Sequence, residues 1–307
     1  MTRRRLATVT SEFGSGKCES HDSSAFYDRF GAPLISDESL VAPPAAIDTL
    51  FHGDAAAMTD GQVANNSVAL VVTSPPYFAG KEYETDLAEG HVPASYVEYL
   101  DMLTRVFAVC VDKLESGGRI AVNVANLGRK PYRSLSADVV RILQDELGLL
   151  LRGEIIWQKA KGAGGSCAWG SYRSPQNPVL RDITERVVIA SRGRFDRAIK
   201  RDERKALGLP SEATIDTEEF LEATLDVWEI PSESARKIGH PAPFPTALPR
   251  RLIELYTYRG DLVLDPFVGS GTTAVAAIEA GRHYVGFDTD DGYLAIARER
   301  IAASATR

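Results

Sequence analysis

Cysteine is scarce in this chain: three residues in 307, Cys18, Cys110 and Cys167, all far apart. That spacing excludes a disulfide scaffold and a paired-cysteine metal site, and it points to a reduced, cytoplasmic protein. No apolar run approaches the ~20 residues needed to cross a bilayer. The basic opening, Met1-Thr2-Arg3-Arg4-Arg5, leads into no signal-peptide apolar core. Internal repeats are absent from the sequence. So is an excess of positive charge: the formal net charge is −7, which weighs mildly against a nucleic-acid partner without saying where basic patches lie. Residues 1–45 lack periodicity and are rich in Ser, Gly and Pro, so they are expected to form an irregular arm. Gly14-Ser15-Gly16-Lys17 is no phosphate loop. The earlier glycine is missing, Cys18 replaces Ser/Thr, and no strand precedes it.

What is present from residue 46 onward is an alternation of strand and helix. Apolar runs predict strands over 50–54, 68–72, 119–124, 153–157, 186–190, 262–265 and 284–288. Helical spacing predicts helices over 96–114, 135–147, 248–258, 273–280 and 293–302. That alternation implies an α/β fold with a doubly wound, mostly parallel sheet over residues 46–307.

Two loops concentrate the chemistry. The first, Ser74-Pro75-Pro76-Tyr77, follows the apolar strand Val68–Val72. It therefore belongs at the carboxyl edge of the sheet, where ligands bind in open α/β folds. Its two prolines fix the backbone and remove two N–H donors. A rigid set of acceptors remains, the Ser74 hydroxyl and the Pro75 carbonyl beside the Tyr77 ring, which suits a planar group carrying an amine. The second loop runs Asp265-Pro266-Phe267-Val268-Gly269-Ser270-Gly271-Thr272-Thr273 into an Ala-rich helix. Gly269 and Gly271 allow close backbone approach to a ligand, and the helix N-terminus at Thr272 favours a negative group. Roughly twenty positions further, Asp288 ends the next strand, where a dinucleotide fold places the carboxylate that binds ribose hydroxyls.

Together these motifs resemble those of the amino-directed DNA methyltransferases that use S-adenosylmethionine. Their order (catalytic tetrad, recognition insert, cofactor loop) resembles the β arrangement of that family, over residues from about 46 to 302. The resemblance implies a Rossmann-like methyltransferase fold. It implies that Ser74, Pro75, Pro76 and Tyr77 hold the target base. It also implies that Asp54, Phe244, Asp265, Phe267, Gly269, Gly271, Thr272 and Asp288 surround the cofactor. Ser-Pro-Pro-Tyr resembles the version found mostly in cytosine-N4 enzymes, whereas Asp at position 74 would resemble adenine-N6 enzymes. The segment His240–Pro245 resembles the one that closes over the cofactor, and Trp157 and Lys159 resemble a motif near the flipped base. Phe244 and Trp157 fit core packing equally well, and Asp54 fits a simple loop cap.

Duplex DNA is the expected partner. Arg192–Lys205 holds seven basic and three acidic residues, so Arg197, Arg201 and Arg204 are expected phosphate contacts within a recognition insert over about 192–235; a solvated charged face is the alternative. The loop from Lys159 to Arg181 adds Lys161, Trp169, Tyr172 and Arg173 among small residues, which suits backbone contact. A homodimer is compatible with the family, and a cognate restriction nuclease is not readable from these residues. Three alternatives stay open: an adenine-N6 enzyme, an RNA substrate, and a non-catalytic DNA-binding module on a vestigial cofactor fold.

Overall fold

The structure, a computed structural model, describes residues 35–76, 95–126, 132–159, 170–180, 183–232 and 244–304. Eight strands form one sheet: β1 (Thr49–His52), β2 (Val68–Thr73), β3 (Leu114–Val124), β4 (Leu150–Gln158), β5 (Thr184–Ser191), β6 (Val227–Glu229), β7 (Leu262–Asp265) and β8 (His283–Asp288). Their spatial order is β1-β8-β7-β2-β3-β5-β4-β6. Only β5 runs antiparallel to its neighbours among the described strands. All six residues of β2 are buried, as a central strand covered on both faces requires.

The helices are α1 (Tyr96–Lys113), α2 (Leu135–Arg141), α3 (Arg201–Ala206), α4 (Thr217–Ala223), α5 (Ala247–Tyr256), α6 (Thr272–Glu279) and α7 (Asp291–Ser304). α1 starts at a capping box, with Ser95 and Glu98 each accepting from the other's backbone N–H. It buries Tyr99, Leu103, Val106 and Phe107 with α2 against one face of the sheet. On the other face, α5 and α6 pack Leu248, Leu252, Ala274 and Ala277 against Val72, Val263 and Trp157. The doubly wound sheet follows.

Two strands adjacent in sequence are apart in space. β1 and β2 are separated by β8 and β7, which come from the far end of the chain. From β2 the chain crosses to β3 on one side, and from β7 it crosses to β8 on the other. The crevice between the carboxyl ends of β2 and β7 is thus the topological switch point, where open α/β sheets bind ligands.

The segment after β5 lies at the opposite edge of the sheet from the Ser74 loop. Its distal part rejoins the sheet, where β6 pairs with β4 as an edge strand. Residues 192–205 leave β5 at Ser191, which lies opposite Arg119 at the start of the β3 ladder. They therefore lie at the amino edge. The six residues of β2, at ~3.3 Å each, place that edge about 20 Å from the Ser74 loop. Gly117, at φ +79°, packs there so closely that a Cβ would lie 1.9 Å from the Asp196 carbonyl oxygen. Of the expected arm over 1–45, residues 1–34 lie outside the described residues; residues 35–46 have no regular structure but are tied down, with Ser36 donating to the Gly193 carbonyl and Ala42 to that of Asn66.

Candidate active site

Asp265 organises the switch point. It ends β7 and is 2% exposed. One carboxylate oxygen accepts from the Thr73 hydroxyl at 2.7 Å and the Phe267 N–H at 3.1 Å. The other accepts from the Thr273 hydroxyl at 2.6 Å. Thr73 immediately precedes Ser74, and Thr273 lies in the first turn of α6, so one side chain ties the Ser74 loop to the glycine loop. Burial pushes its pKa up to about 6, although the hydroxyl and N–H donors pull the other way. Asp265, expected among the cofactor contacts, is buried and accepts three hydrogen bonds from within the protein.

Asp288 lies at the carboxyl end of β8, opposite His52 of β1. Its oxygens accept from the Gly269 N–H at 2.8 Å and the Asp290 N–H at 2.9 Å. Burial raises its pKa, with those N–H donors opposing. The Thr289 N–H also bonds this carboxylate; with about four acceptor positions on a carboxylate, one remains for a hydroxyl donor. Asp54 is brought alongside: Gly53 donates to the Asp288 carbonyl at 2.8 Å, and the Asp54 side chain caps a short 3-10 turn by accepting from the Ala56 N–H at 2.8 Å.

The glycine loop is held from behind. Gly271 stands before α6 at φ +81°, and a Cβ there would meet the Ala297 Cβ of α7 at 2.9 Å. Arg300 of α7 donates to the Ser270 carbonyl at 2.6 Å and to the Thr272 hydroxyl at 3.0 Å. α6 has no side-chain N-cap, which leaves its first turn of N–H groups to a bound anion. Phe267 and Phe244 are half-buried, packed against the cores on opposite faces.

In the Ser74 loop Pro75 is buried, and Ser74 and Pro76 are half-buried. Asn123 of β3 points its Nδ2 at the Ser74 Oγ, at 3.4 Å, and donates to the Glu185 Oε2 at 2.5 Å. Lys159 ion-pairs with the Glu185 Oε1 at 2.7 Å. Tyr77, Lys161, Trp169 and residues 240–243 lie outside the described residues.

The fold carries some expected DNA contacts elsewhere. Arg197 is buried between Glu115 and Asp261, with Asp261 at 2.9 Å. Arg204, 1% exposed, joins the same two carboxylates at 3.3 and 2.9 Å. Neither guanidinium reaches a phosphate, because desolvated carboxylates already hold both. Arg201 is exposed but lies on the same amino edge and donates to the Ser211 carbonyl at 3.0 Å. Trp157 is 2% exposed and donates to the Ile230 carbonyl at 2.7 Å, so it is core. Arg173 is exposed in the β4–β5 connection, which leaves and rejoins the sheet at the carboxyl edge, and stacks over Tyr172 at 5.5 Å.

Sequence reasoning missed Thr73, Asn123, Glu185 and Arg300. The first three had a signal: each is a polar residue in or beside an otherwise apolar strand, and buried polar groups need partners. Arg300 had none, being one charge on a helix of mixed charge.

Comparison with known proteins agrees with this geometry. The profile of the N6/N4 DNA methylase family matches residues 68–299. The type II methyltransferase M.BglI of Bacillus subtilis is 29% identical, over 78% of this chain and 81% of its own. M.Cfr9I of Citrobacter freundii is 28% identical, over 84% and 89%. Among solved structures, a protein of Thermus thermophilus described as a DNA modification methylase, complexed with S-adenosyl-L-methionine, superposes with a TM-score of 0.61. It is 27% identical, over 83% of this chain and 95% of that one. The cytosine-N4-specific PvuII DNA methyltransferase shares the fold at a TM-score of 0.62, with 22% identity over 84% and 88%.

Proposed function

This chain belongs to the N6/N4 DNA methylase family, and on that premise we propose that its target is the exocyclic N4 of cytosine in duplex DNA. It is a DNA methyltransferase and it uses S-adenosylmethionine. The cofactor supplies a methyl group on a sulfonium, an electrophile. Asp288 and the first turn of α6 fit it: the carboxylate has room for a ribose hydroxyl, and the uncapped N–H groups for the methionine carboxylate. Gly269 and Gly271 let the backbone come close, Asp54 and Phe267 border the adenosine, and Phe244 flanks it from the other side.

One observation carries the reading: the Ser74 loop and the glycine loop share the β2–β7 switch point, joined by Asp265, and Gly269 of the glycine loop donates to Asp288 on the neighbouring strand. The lone pair of cytosine's amine is delocalised into the ring, which makes it a poor nucleophile. The Ser74 hydroxyl and the Pro75 carbonyl accept its two N–H bonds and favour a pyramidal nitrogen. Such pre-organised groups supply the largest share of rate enhancement in many enzymes, and fixing the amine in line supplies much of the rest. Tyr77 stacks on the base, which must leave the duplex at a cost of a few kcal/mol. The duplex then lies over the carboxyl edge, where Arg173 is placed for phosphate. Ser74 favours cytosine over adenine through its resemblance to the cytosine-N4 tetrad. Tritiated methyl transfer to duplex DNA, with the product base identified by mass spectrometry, tests both levels. N4-methylcytosine is expected, N6-methyladenine overturns the base assignment, and no transfer overturns the activity.

A further inference from the structure

We propose that Glu185 is a positioning residue for methyl transfer, setting the orientation of Ser74 through Asn123 while Lys159 holds it in place. The proposal rests on the reading of Ser74 as an acceptor for the target amine.

Glu185 is reached because β5 is the antiparallel strand. Its first residues, not its last, arrive at the carboxyl edge beside the site. There Glu185 is 8% exposed and Asn123 2%. A buried carboxylate is costly unless paired. Lys159 supplies the pair at 2.7 Å, its ammonium 5.8 Å from the ring centroid of the buried Trp157.

The carboxylate decides which way the Asn123 amide faces. An ionised carboxylate only accepts, so the amide must turn its NH2 toward Glu185 and cannot turn its oxygen there. The 2.5 Å contact is short even for a charge-assisted hydrogen bond. With that end fixed, the same nitrogen faces the Ser74 Oγ at 3.4 Å. This distance is long for a hydrogen bond, so Asn123 orients Ser74 rather than anchoring it. An N–H directed at Oγ occupies one lone-pair direction. The Ser74 proton must then point away from Asn123. Without the carboxylate the amide can flip. The Asn123 oxygen would then draw the Ser74 proton toward itself and rotate the accepting lone pairs away from the target. Lys159, expected as a DNA contact, thereby acts on the reaction from within the protein.

Three measurements on the full chain test this. In single-turnover transfer to duplex DNA, Glu185→Gln is expected to lower the rate about 10- to 100-fold, the range seen for groups that orient a reacting ligand around metals. Affinity for S-adenosylmethionine should stay within about twofold, since no cofactor contact changes. Lys159→Met should show the same split and Lys159→Arg should retain most of the rate, which a loss of folding would not do. In a Ser74→Ala background, Glu185→Gln should cause no further loss, because its effect passes through Ser74. A wild-type rate in Glu185→Gln, or a loss that adds in full to that of Ser74→Ala, overturns the proposal. The third measurement needs no activity. The Asn123 side-chain amide, observed by NMR in asparagine-labelled protein, should shift and lose exchange protection in Glu185→Gln. An unchanged signal overturns the positioning role, even if the wild type methylates nothing and the functional reading falls.

Discussion

At the scale of single residues, the site depends on Asp265, and its ionisation makes a stability prediction. In the folded protein its carboxyl titrates near 6 because of burial, against an ordinary value of about 3.9. Between those values the folded state keeps a proton that the unfolded chain has lost. Stability from this group is therefore full below pH ~4, falls as pH rises to ~6, and is level above that. Unfolding of wild type and Asp265→Asn, compared from pH 4 to pH 7, should show the wild type losing roughly 3 kcal/mol relative to the variant. A constant difference would mean the carboxyl titrates normally. Gly271→Ala should destabilise by at least about 1 kcal/mol and weaken cofactor binding, since φ +81° and the Ala297 Cβ at 2.9 Å both oppose a side chain. Denaturant titration and calorimetry would read the two effects. The loops holding Asp265, Gly271 and Asp288 were legible in the sequence because each sits at a fixed offset from an apolar strand. The partners of Arg197 were not: Glu115 is 82 positions away and Asp261 is 64, and a charge run does not show what faces it.

At the scale of elements, α3 is secured by charge rather than by apolar burial. Arg204 and Arg197 share Glu115 and Asp261, and the Tyr258 ring lies 5.3 and 5.4 Å from the two guanidiniums. Replacing both partners of such a cluster with apolar groups is often tolerated, but removing one leaves buried charge uncompensated, at about 3–5 kcal/mol. Arg204→Ala is expected to lose stability on that scale in thermal or denaturant unfolding, whereas an exposed phosphate-binding arginine would lose almost none. The strands of the central sheet were legible from their apolar runs. β6 and α3 were not, because three residues paired at an edge and six at a charged turn leave no period to detect.

At the scale of the whole molecule, the two edges of the sheet carry different work. The carboxyl edge gathers Ser74, Asp288 and Arg173, and the amino edge gathers the cluster of Arg197, Arg204, Glu115 and Asp261. DNA bound over the carboxyl edge should therefore be insensitive to Arg201→Glu, while Arg173→Glu should reduce the slope of log affinity against log salt by about one. Binding titrations at several salt concentrations separate the two. If Arg201→Glu flattens the slope instead, the duplex crosses the other edge. The fold class was legible from the alternation of strands and helices. The edge to which each loop belongs was settled by the direction of β5, which an apolar run does not reveal.

The intercalation of β7 and β8 between β1 and β2 has a consequence for the chain as it is made. While a ribosome is still producing the middle of the protein, β1 has no neighbour and β2 has one bare side. At 5–20 residues per second, the stretch from β2 to β7 keeps that slot open for roughly 10 to 40 seconds. An apolar strand with an unpaired edge invites pairing with other chains, so a nascent chain halted near residue 243 is a natural client for chaperones. The cofactor loop arrives with the strands that close the slot. The stretch that carries β7 and β8 therefore completes both the sheet and the proposed site, and a copy halted before it is expected to be inactive on DNA.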